Sequence, residues 1–357
     1  MSLNRVVVLG LGKVGSLVGT LLNHSGFKVT GLDATPRTDL PFQTHAVNLS
    51  EPASLRPFLA VNDAVVSCLP FHLNIALSTE AHAAGIHYFD LTEDVGTTQQ
   101  IRELAKTSRG LMAPQCGLAP GFIGIVGADL ARKFDKLRSI ELKVGALPKH
   151  PRGKLGYAFN WSPEGVINEY INDCEVIRMG HRQMVPALEG YEVVVINGVQ
   201  LEAATTSGGL GTMCETYEGK VETLHYKTMR YHGHFEQIKF LFQELRMQEH
   251  RALLGKIMKN ALPPVAEDYV FVHAAVEGWK DDHLSREEFV RSYPQMQVAG
   301  HEWRAISWTT AASLCAVIEM VRDGVLPQRG FLKQEEIPLD GFFRTKNGAH
   351  YLVHDRS

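Results

Sequence analysis

The strongest constraint on the fold of this chain lies near its start, where two apolar segments flank a glycine-rich turn. Residues 6–9 lead into Gly10, Gly12 and Gly15, an apolar helical pattern follows, and residues 27–32 end on Asp33. In a strand–turn–helix–strand unit, the first glycine permits the turn, the second lets backbone N–H groups approach a pyrophosphate, and the third lets helix and strand pack closely. The pattern predicts a dinucleotide-binding unit; a glycine-rich turn without a ligand is the alternative.

Two charged residues bear on which dinucleotide this unit prefers. Asp33 ends the second strand, where its carboxylate is placed to accept hydrogen bonds from ribose hydroxyls and to repel a 2′-phosphate. Arg37 follows shortly after, and its guanidinium suits such a phosphate. The sequence therefore favours NAD as cofactor, with NADP as the alternative.

Length and composition limit the class of protein. A chain of 357 residues is longer than one hydrophobic core usually supports, which predicts two domains. A charged fraction of 21% and a net charge of −3 argue against a nucleic-acid partner. Five cysteines without a C-x-x-C spacing favour neither a disulfide framework nor a zinc site. We expect a cytoplasmic protein without membrane association, because no signal peptide precedes the first strand and Pro114 and Pro120 interrupt the longest uncharged stretch.

The order of strand and helix patterns predicts an α/β fold with two kinds of sheet. Strands in the first third alternate with helices, which is typical of a doubly wound parallel (Rossmann) sheet. Its further strands are predicted at residues 45–48, 64–68, 86–90 and 111–113. Its later helices are predicted after a cap at Ser50, and at residues 74–84, 98–108 and 122–134. Strand patterns continue at 139–144, 193–196, 199–203, 220–226 and 269–276, before a helix at 308–323. We therefore predict a dinucleotide-binding domain over 1–120, an α+β domain with a mostly antiparallel sheet over 121–307, and a segment over 308–357 that returns to the first domain.

Ligands of doubly wound sheets collect beyond the carboxyl ends of the strands, which points to residues 67–71, 90–94 and 115–121. The free N–H groups of the helix starting at 122 are expected to face a carboxamide or a substrate carboxylate. The residues predicted to bind the cofactor are Gly10, Gly12, Lys13, Val14, Gly15, Asp33, Ser67, Cys68, Leu69, Pro70 and Thr92.

Four sequence motifs resemble those of the saccharopine dehydrogenase superfamily, and within it those of the lysine 6-dehydrogenases. They are S-C-L-P at 67–70, G-L-A-P-G at 117–121, L-G-Y at 155–157 with W-S-P-E-G-V-I-N-E-Y at 161–170, and Y-K-T-M-R-Y-H-G-H at 226–234. The resemblance implies NAD-dependent oxidation of an amine carbon to an imine, hydrolysis to a semialdehyde, and a homodimer. The chain departs from the family pattern at Ala146, where glycine is usual, and at His232, where lysine dehydrogenases carry proline. Glu164 stands where saccharopine reductases carry arginine, and it suits a cationic amine better.

The chemistry of amine oxidation requires a base. Hydride leaves a carbon readily only when the attached nitrogen is unprotonated, and deprotonating an alkyl ammonium at pH 7 costs roughly 4 to 5 kcal/mol. A carboxylate with a raised pKa lowers that cost. No metal or covalent nucleophile is needed, because the cofactor accepts the hydride. The catalytic candidates are Asp90, Glu93, Asp94 and Glu164.

Each catalytic candidate also has a purely structural interpretation, as a strand end, a helix cap, a first-turn carboxylate or a solvated loop charge. The same holds for the predicted substrate-binding residues, which are surface, core or turn residues in the alternative interpretation. These are Phe71, Cys116, Gly117, Arg152, Tyr157, Thr206, Ser207, Arg230 and His234.

The leading functional hypothesis is an NAD(P)-dependent amino acid dehydrogenase that oxidises the side-chain amine of lysine. A saccharopine reductase or carboxy(nor)spermidine reductase, acting on a small amino acid or polyamine-like substrate, is the alternative within this class. A dinucleotide-sensing protein without catalysis is the alternative from another class.

Overall fold

The computed structural model describes residues 3–356 and divides into two units. The first unit joins residues 1–125 to residues 307–357, and the second spans 126–306. The sequence placed these boundaries at 120 and 307. Residues 1, 2 and 357, which belong to the predicted ranges 1–120 and 308–357, lie outside the described residues.

The amino-terminal part of the first unit alternates strands and helices. Its elements are β1 (Arg5–Leu9), α1 (Gly15–His24), β2 (Lys28–Asp33), β3 (Gln43–Ala46), α2 (Pro52–Leu59), β4 (Ala64–Ser67), α3 (Asn74–Ala84), β5 (His87–Asp90), α4 (Val95–Ala105), β6 (Leu111–Ala113) and the start of α5 (Phe122–Ala131), whose later residues are assigned to the second unit. A short 3₁₀ helix, Phe71–Leu73, precedes α3. The helix α3 ends at Ala84, as the sequence predicted, and Gly85 follows it in the left-handed conformation with φ +71°.

The second unit is built mainly of strands. Its elements are β7 (Lys136–Pro148), α6 (Pro163–Ile171), β8 (Cys174–Arg178), β9 (His181–Val185), β10 (Glu192–Ile196), β11 (Val199–Thr205), α7 (Met213–Tyr217), β12 (Thr223–Tyr231), α8 (His234–Lys239), α9 (Arg251–Ala261), β13 (Asp268–Lys280), β14 (His283–Tyr293), β15 (Met296–Val298) and β16 (His301–Trp303). A π-helical turn, Phe240–Glu244, and a 3₁₀ helix, Met247–His250, lie between α8 and α9.

The remaining elements complete the first unit. They are α10 (Ala305–Arg322), β17 (Gly330–Phe331), α11 (Leu339–Arg344) and the 3₁₀ helices Gln334–Glu336 and Gly348–Arg356. Among residues 3–356, no helix is both long and apolar enough to cross a membrane.

The sheet of the first unit is parallel throughout, with the order β17-β6-β5-β4-β1-β2-β3. The direction of strand addition reverses between β1 and β4, which is the position where doubly wound sheets bind ligands. The registers pair Leu9 with Ser67 and Ser67 with Asp90, so the carboxyl ends of three central strands lie side by side. This confirms the predicted fold class. The seventh strand has only two residues, too few for a pattern in the sequence.

The sheet of the second unit has the order β10-β11-β12-β7-β13-β14, and the β8–β9 hairpin pairs with β12. Among the described strands of this second sheet, only the β12–β7 pair is parallel. This confirms the prediction of a mostly antiparallel sheet. The strands predicted at 193–196 and 199–203 form a hairpin as β10 and β11. Asn197 and Gly198 occupy its turn with φ +50° and +77°, as a type I′ turn requires.

Two local predictions are wrong. Ser50 does not cap α2, because Glu51 occupies the N-cap position without a side-chain bond, and the Asn48 carboxamide oxygen accepts the Ser50 N–H instead. The strand predicted to end at residue 144 continues to Pro148, since β13 pairs with β7 as far as that residue.

Candidate cofactor and substrate sites

The glycine turn of the first unit has the shape that a dinucleotide needs. A Cβ atom at Gly15 would lie 1.8 Å from the Gly10 carbonyl oxygen, so the helix and the turn touch through backbone alone. Gly10 has φ +85°, and its N–H donates to the Leu32 carbonyl at 2.9 Å. A Cβ atom at Gly12, by contrast, would meet no described atom within 4 Å. This open position over backbone at the start of α1 fits the pyrophosphate of a dinucleotide. Lys13 and Val14 complete the turn.

Asp33, at the end of β2, is tied to this turn. One carboxylate oxygen accepts the Leu11 N–H at 2.6 Å, and the other accepts the Thr35 N–H at 3.1 Å. The carboxylate is half-buried and its position is fixed beside the residue that follows Gly10. Ribose recognition by Asp33 is compatible with this geometry, since each carboxylate oxygen can accept a second hydrogen bond.

The end of β4 lies against the same glycine turn. The Cys68 N–H donates to the Leu9 carbonyl at 2.9 Å, and a Cβ at Gly10 would lie 2.9 Å from Leu69 Cδ2. The predicted cofactor residues Cys68 and Leu69 therefore adjoin the turn, whereas Pro70 is exposed and Phe71 is half-buried in the 3₁₀ helix. Burial, together with the charge of Asp90, raises the pKa of the Cys68 thiol to about 12, so it is not a thiolate nucleophile.

Asp90 organises the neighbouring strand ends. Its side chain is fully buried, and one oxygen accepts the N–H groups of Thr92 and Gln115, both at 3.0 Å. The other oxygen accepts the Tyr88 hydroxyl at 2.8 Å and the Asn74 amide at 3.3 Å. Burial raises the pKa of Asp90 to about 6 although these hydrogen bonds favour its charged form. Four donors around a buried carboxyl favour a positioning role for Asp90 over direct contact with a substrate.

This network extends to the predicted cofactor residue Ser67, at the end of β4. The Ser67 hydroxyl donates to the Asn74 carboxamide oxygen at 2.6 Å, and the Asn74 amide in turn reaches Asp90. Thr92 is buried, and its backbone N–H is held by Asp90. Hydrogen bonds to the Asp90 carboxyl, made directly or by way of Asn74, therefore connect the ends of β4, β5 and β6.

The two remaining carboxylates of this segment differ from each other. Asp94 is the N-cap of α4, where its side chain accepts the Thr97 N–H at 2.7 Å. Glu93 is half-buried, and burial together with repulsion from Asp90 and Asp94 raises its pKa, although its own backbone N–H favours the charged form. Glu93 is therefore the carboxyl group of this segment best suited to act as a base.

The segment that begins at Gln115 departs from expectation at the start of α5. The N–H groups of Phe122 and Ile123 donate to the carbonyls of Gly117 and Leu118 at 2.9 and 3.0 Å, so they do not point at a ligand as predicted. Gly121, with φ +129°, folds the chain back onto Gly117. Cys116 is buried, and its sulfur accepts the Gln334 amide at 3.4 Å. Burial raises the pKa of this thiol well above its ordinary value, which favours a packing role.

In the second unit, an arginine and three aromatic side chains form a buried group that we call the arginine cluster: Arg230, Tyr157, Tyr170, His234 and the adjacent Glu169. The guanidinium carbon of Arg230 lies 4.6 Å from the ring centre of Tyr157 and 5.6 Å from that of Tyr170. Arg230 Nε donates to the Tyr170 hydroxyl at 2.7 Å, and Nη2 lies 3.8 Å from a carboxylate oxygen of Glu169. Three predicted substrate residues, Tyr157, Arg230 and His234, thus meet in one place.

The hydrogen bonds of His234 fix the orientation of the Arg230 side chain within the arginine cluster. Burial and the charge of Arg230 lower the pKa of His234 to about 3, so the imidazole is neutral. Its Nδ1 lies 2.7 Å from the Leu155 carbonyl oxygen, which can only accept, so Nδ1 carries the proton. Nε2 then accepts the Tyr170 hydroxyl at 3.0 Å, and that hydroxyl in turn accepts from Arg230. The chain of bonds holds the guanidinium in one orientation.

Two further predicted substrate residues lie near the arginine cluster. Ser207 donates its N–H to the Glu169 carbonyl at 3.1 Å, and its hydroxyl donates to the Asn168 carbonyl at 3.2 Å. The hydroxyl of Thr206 lies 2.6 Å from that of Thr228, which precedes Arg230 on β12.

Glu164 and Arg152 lie apart from the arginine cluster's hydrogen bonds. Glu164 is exposed in the first turn of α6 and accepts the Ser162 hydroxyl at 3.3 Å, while Ser162 caps the helix. Arg152 is exposed in the loop after β7.

Sequence reasoning missed Glu169, Tyr170 and Asn74. The first two stand inside the quoted W-S-P-E-G-V-I-N-E-Y motif, where an acidic residue beside a tyrosine was a usable signal. For Asn74, at the start of a helix between two strands, the sequence offered no comparable signal.

Comparison with known proteins agrees with this architecture. The model of the saccharopine dehydrogenase NADP binding domain matches residues 6–113, and that of the saccharopine dehydrogenase C-terminal domain matches residues 117–344.

Solved structures show the same fold. The structure is similar to apo saccharopine dehydrogenase (L-Glu forming) from Saccharomyces cerevisiae, with a TM-score of 0.75, 17% identity and 96% of each chain covered. It also resembles an engineered D-amino acid dehydrogenase, with a TM-score of 0.52, 12% identity and coverage of 96% and 97%. The DAP dehydrogenase of C. glutamicum in complex with DAP gives a TM-score of 0.51, 11% identity and coverage of 99% and 100%. The family models, which together span most of the chain, show that this protein belongs to the saccharopine dehydrogenase family, oxidoreductases that act on the CH–NH group of an amino acid with a nicotinamide dinucleotide.

Proposed function

We propose that this protein oxidises the side-chain amine of lysine, or of a similar diamino acid, with NAD, and releases a semialdehyde after hydrolysis of the imine. The observation that carries the choice of a cationic substrate is the group of three carboxyl residues, Asp90, Glu93 and Asp94, at the end of β5. Such a site favours an ammonium group electrostatically over an additional substrate carboxylate.

Glu93 is the proposed base. An amine must lose its proton before oxidation, and a carboxylate accepts that proton at lower cost when its pKa is raised. Asp90 and Asp94 are engaged by donors, whereas Glu93 combines partial burial with two neighbouring negative charges that raise its pKa. When bound, the nicotinamide ring supplies the hydride acceptor. Glu93 then removes and holds the substrate proton.

Asp90 is proposed as a positioning residue for this base. It holds the N–H of Thr92, the residue before Glu93, and the N–H of Gln115 on the next strand. A rigid backbone on the preceding residue limits where the Glu93 carboxyl can lie, and such preorganisation is what a base needs.

The arginine cluster is proposed to bind the amino acid's α-substituents. Arg230 offers a planar donor group to an α-carboxylate, and Glu169 offers an acceptor to an α-ammonium group. Their charged atoms are 3.8 Å apart, beyond hydrogen-bond distance, and a zwitterionic head group complements such a pair. Tyr170 and His234 keep the guanidinium oriented for this contact.

The proposed preference for NAD rests on Asp33. Its carboxylate is anchored by Leu11 and Thr35 at the end of β2, where a 2′-phosphate would add a second negative charge. We also propose that the substrate is a small amino acid and that the protein assembles as a homodimer.

A second candidate, a reductase of the saccharopine or carboxy(nor)spermidine type, is favoured by one observation. The arginine cluster holds a fully oriented, buried guanidinium, which also suits a carboxylate of a larger substrate.

The test is oxidation of an amino acid panel with NAD, followed by the absorbance of the reduced cofactor. We expect lysine to be oxidised and the rate to rise between about pH 8 and pH 10, because more of the substrate amine is then unprotonated. Glu93→Gln should lower kcat about 100-fold or more without weakening NAD binding. Glu103→Gln, which changes an exposed glutamate on α4, is the matched control.

Two results would contradict this proposal. Full activity of Glu93→Gln would reject the base. Binding of NAD without oxidation of any amine would indicate a sensor of the dinucleotide.

A further inference from the structure

An ion pair beside Asp33 bears on the choice between the two dinucleotides. Arg37 Nε donates to one carboxylate oxygen of Asp39 at 3.0 Å, and Nη2 donates to the other oxygen. Nη1 reaches the Leu11 carbonyl at 3.4 Å, on the residue whose N–H is held by Asp33. All three nitrogens of the guanidinium therefore have an acceptor.

We propose that Asp39 is a specificity-determining residue that occupies the donor pair of Arg37 which a 2′-phosphate would need, and thereby makes the protein select NAD over NADP. This inference rests on the proposed function, since it requires a dinucleotide at the glycine turn. Asp33, by contrast, is proposed to accept hydrogen bonds from the ribose hydroxyls.

The geometry of the guanidinium explains why Asp39 competes with a phosphate. Arginine binds both carboxylates and phosphates through the same pair of parallel N–H groups. In this structure, the pair formed by Nε and Nη2 is filled by Asp39. A 2′-phosphate at the ribose beside Asp33 would have to displace that carboxylate, and it would also meet the negative charge of Asp33.

The backbone around Arg37 keeps the side chain within reach of this site. The Thr44 hydroxyl donates to the Arg37 carbonyl at 2.6 Å, which fastens the loop between β2 and β3. Asp39 itself is mostly exposed, with 63% of its side chain accessible. An exposed ion pair is weak, so loss of the Asp39 charge releases Arg37 without disturbing the fold.

The test measures dissociation constants of NAD and NADP by fluorescence titration of the whole protein. We expect Asp39→Asn to tighten NADP binding about threefold to fivefold, because the phosphate no longer has to displace a weak, exposed ion pair, and to change NAD binding less than about twofold. Asp340→Asn is the matched control, since it removes the same charge from another exposed arginine pair, Asp340 with Arg344. In an Arg37→Ala background, Asp39→Asn should leave NADP binding unchanged.

The outcomes separate this inference from the proposed function. An unchanged ratio of NADP to NAD affinity in Asp39→Asn, with NAD binding intact, would overturn the inference alone. A gain in NADP affinity that persists in the Arg37→Ala background would overturn it as well, because Asp39 would then act by direct repulsion. Failure of the unaltered protein to bind either dinucleotide would overturn the proposed function itself.

Discussion

The buried carboxyl of Asp90 makes a quantitative prediction about stability and pH. Its pKa is raised by burial from the ordinary value of 3.8 to about 6. A raised carboxyl pKa means that the folded state holds the proton more tightly than the unfolded state. The stability from this group is therefore fully present well below about pH 4 and is lost as the pH rises through about 6. At about 1.4 kcal/mol per pKa unit, the loss amounts to about 3 kcal/mol.

The variant Asp90→Asn has no proton to release at this position, so it isolates the effect. Urea denaturation should be followed for both proteins at a series of values from about pH 4 to pH 7.5. We expect the free energy of unfolding of the unaltered protein, minus that of the variant, to fall by about 2.5 kcal/mol across this range, because part of the loss already lies below about pH 4. The carboxamide keeps the size of the side chain but faces the Tyr88 hydroxyl and the Asn74 amide with an NH₂ group.

Asp63→Asn is the control with the opposite sign. Burial raises the pKa of Asp63, but hydrogen bonds from the Arg5 side chain and from the N–H groups of Asn4 and Arg5 outweigh it, and the pKa is lowered. Stability from Asp63 is therefore lost only as the pH falls below about 4, so the corresponding difference should not fall between about pH 4 and pH 7.5. A difference for Asp90→Asn that is flat or rises with pH would refute the reasoning about burial.

Two further predictions concern the glycine turn and the arginine cluster. Gly12→Ala should leave the melting temperature nearly unchanged but weaken NAD binding about tenfold or more, because its Cβ occupies the open space of the turn. Gly15→Ala should destabilise the protein, because its Cβ would clash with the Gly10 carbonyl. Equal melting temperatures of the two variants would contradict this prediction. Tyr170→Phe removes the hydroxyl that accepts from Arg230 and should cost about 1 to 3 kcal/mol in urea denaturation and raise the KM for lysine, whereas an unchanged KM would remove the arginine cluster from substrate binding.

Short-range patterns carried much of the fold prediction. The glycine turn before α1, the helix end at Gly85 and the hairpin at Asn197 each depend on a backbone conformation that a few adjacent residues determine. The parallel order of the strands followed from the alternation of elements. β14 escaped prediction because its sequence, H-L-S-R-E-E-F-V-R-S-Y, is mostly polar, and it forms a strand through its pairing with β13.

The candidate sites were less predictable because their geometry depends on distant residues. The N–H groups at the start of α5 are taken up by carbonyls of a loop that Gly121 folds back, and no local pattern reveals that return. Glu164 and Glu169 share one helix, and only the position of Arg230 on β12 distinguishes the partly buried glutamate from the exposed one. Four donors converge on Asp90 from three segments of the chain, which a sequence does not display.

The first unit is assembled from two stretches of chain separated by the whole of the second. β17 pairs with β6, and the ring of Tyr351 stacks on that of Phe122 with centroids 4.0 Å apart. During translation, the residues of the second unit leave the ribosome before these late partners exist. Until β17 and Tyr351 are synthesised, the first unit therefore has an unpaired sheet edge at β6 and an uncovered Phe122. All residues of the second unit are by then available to fold.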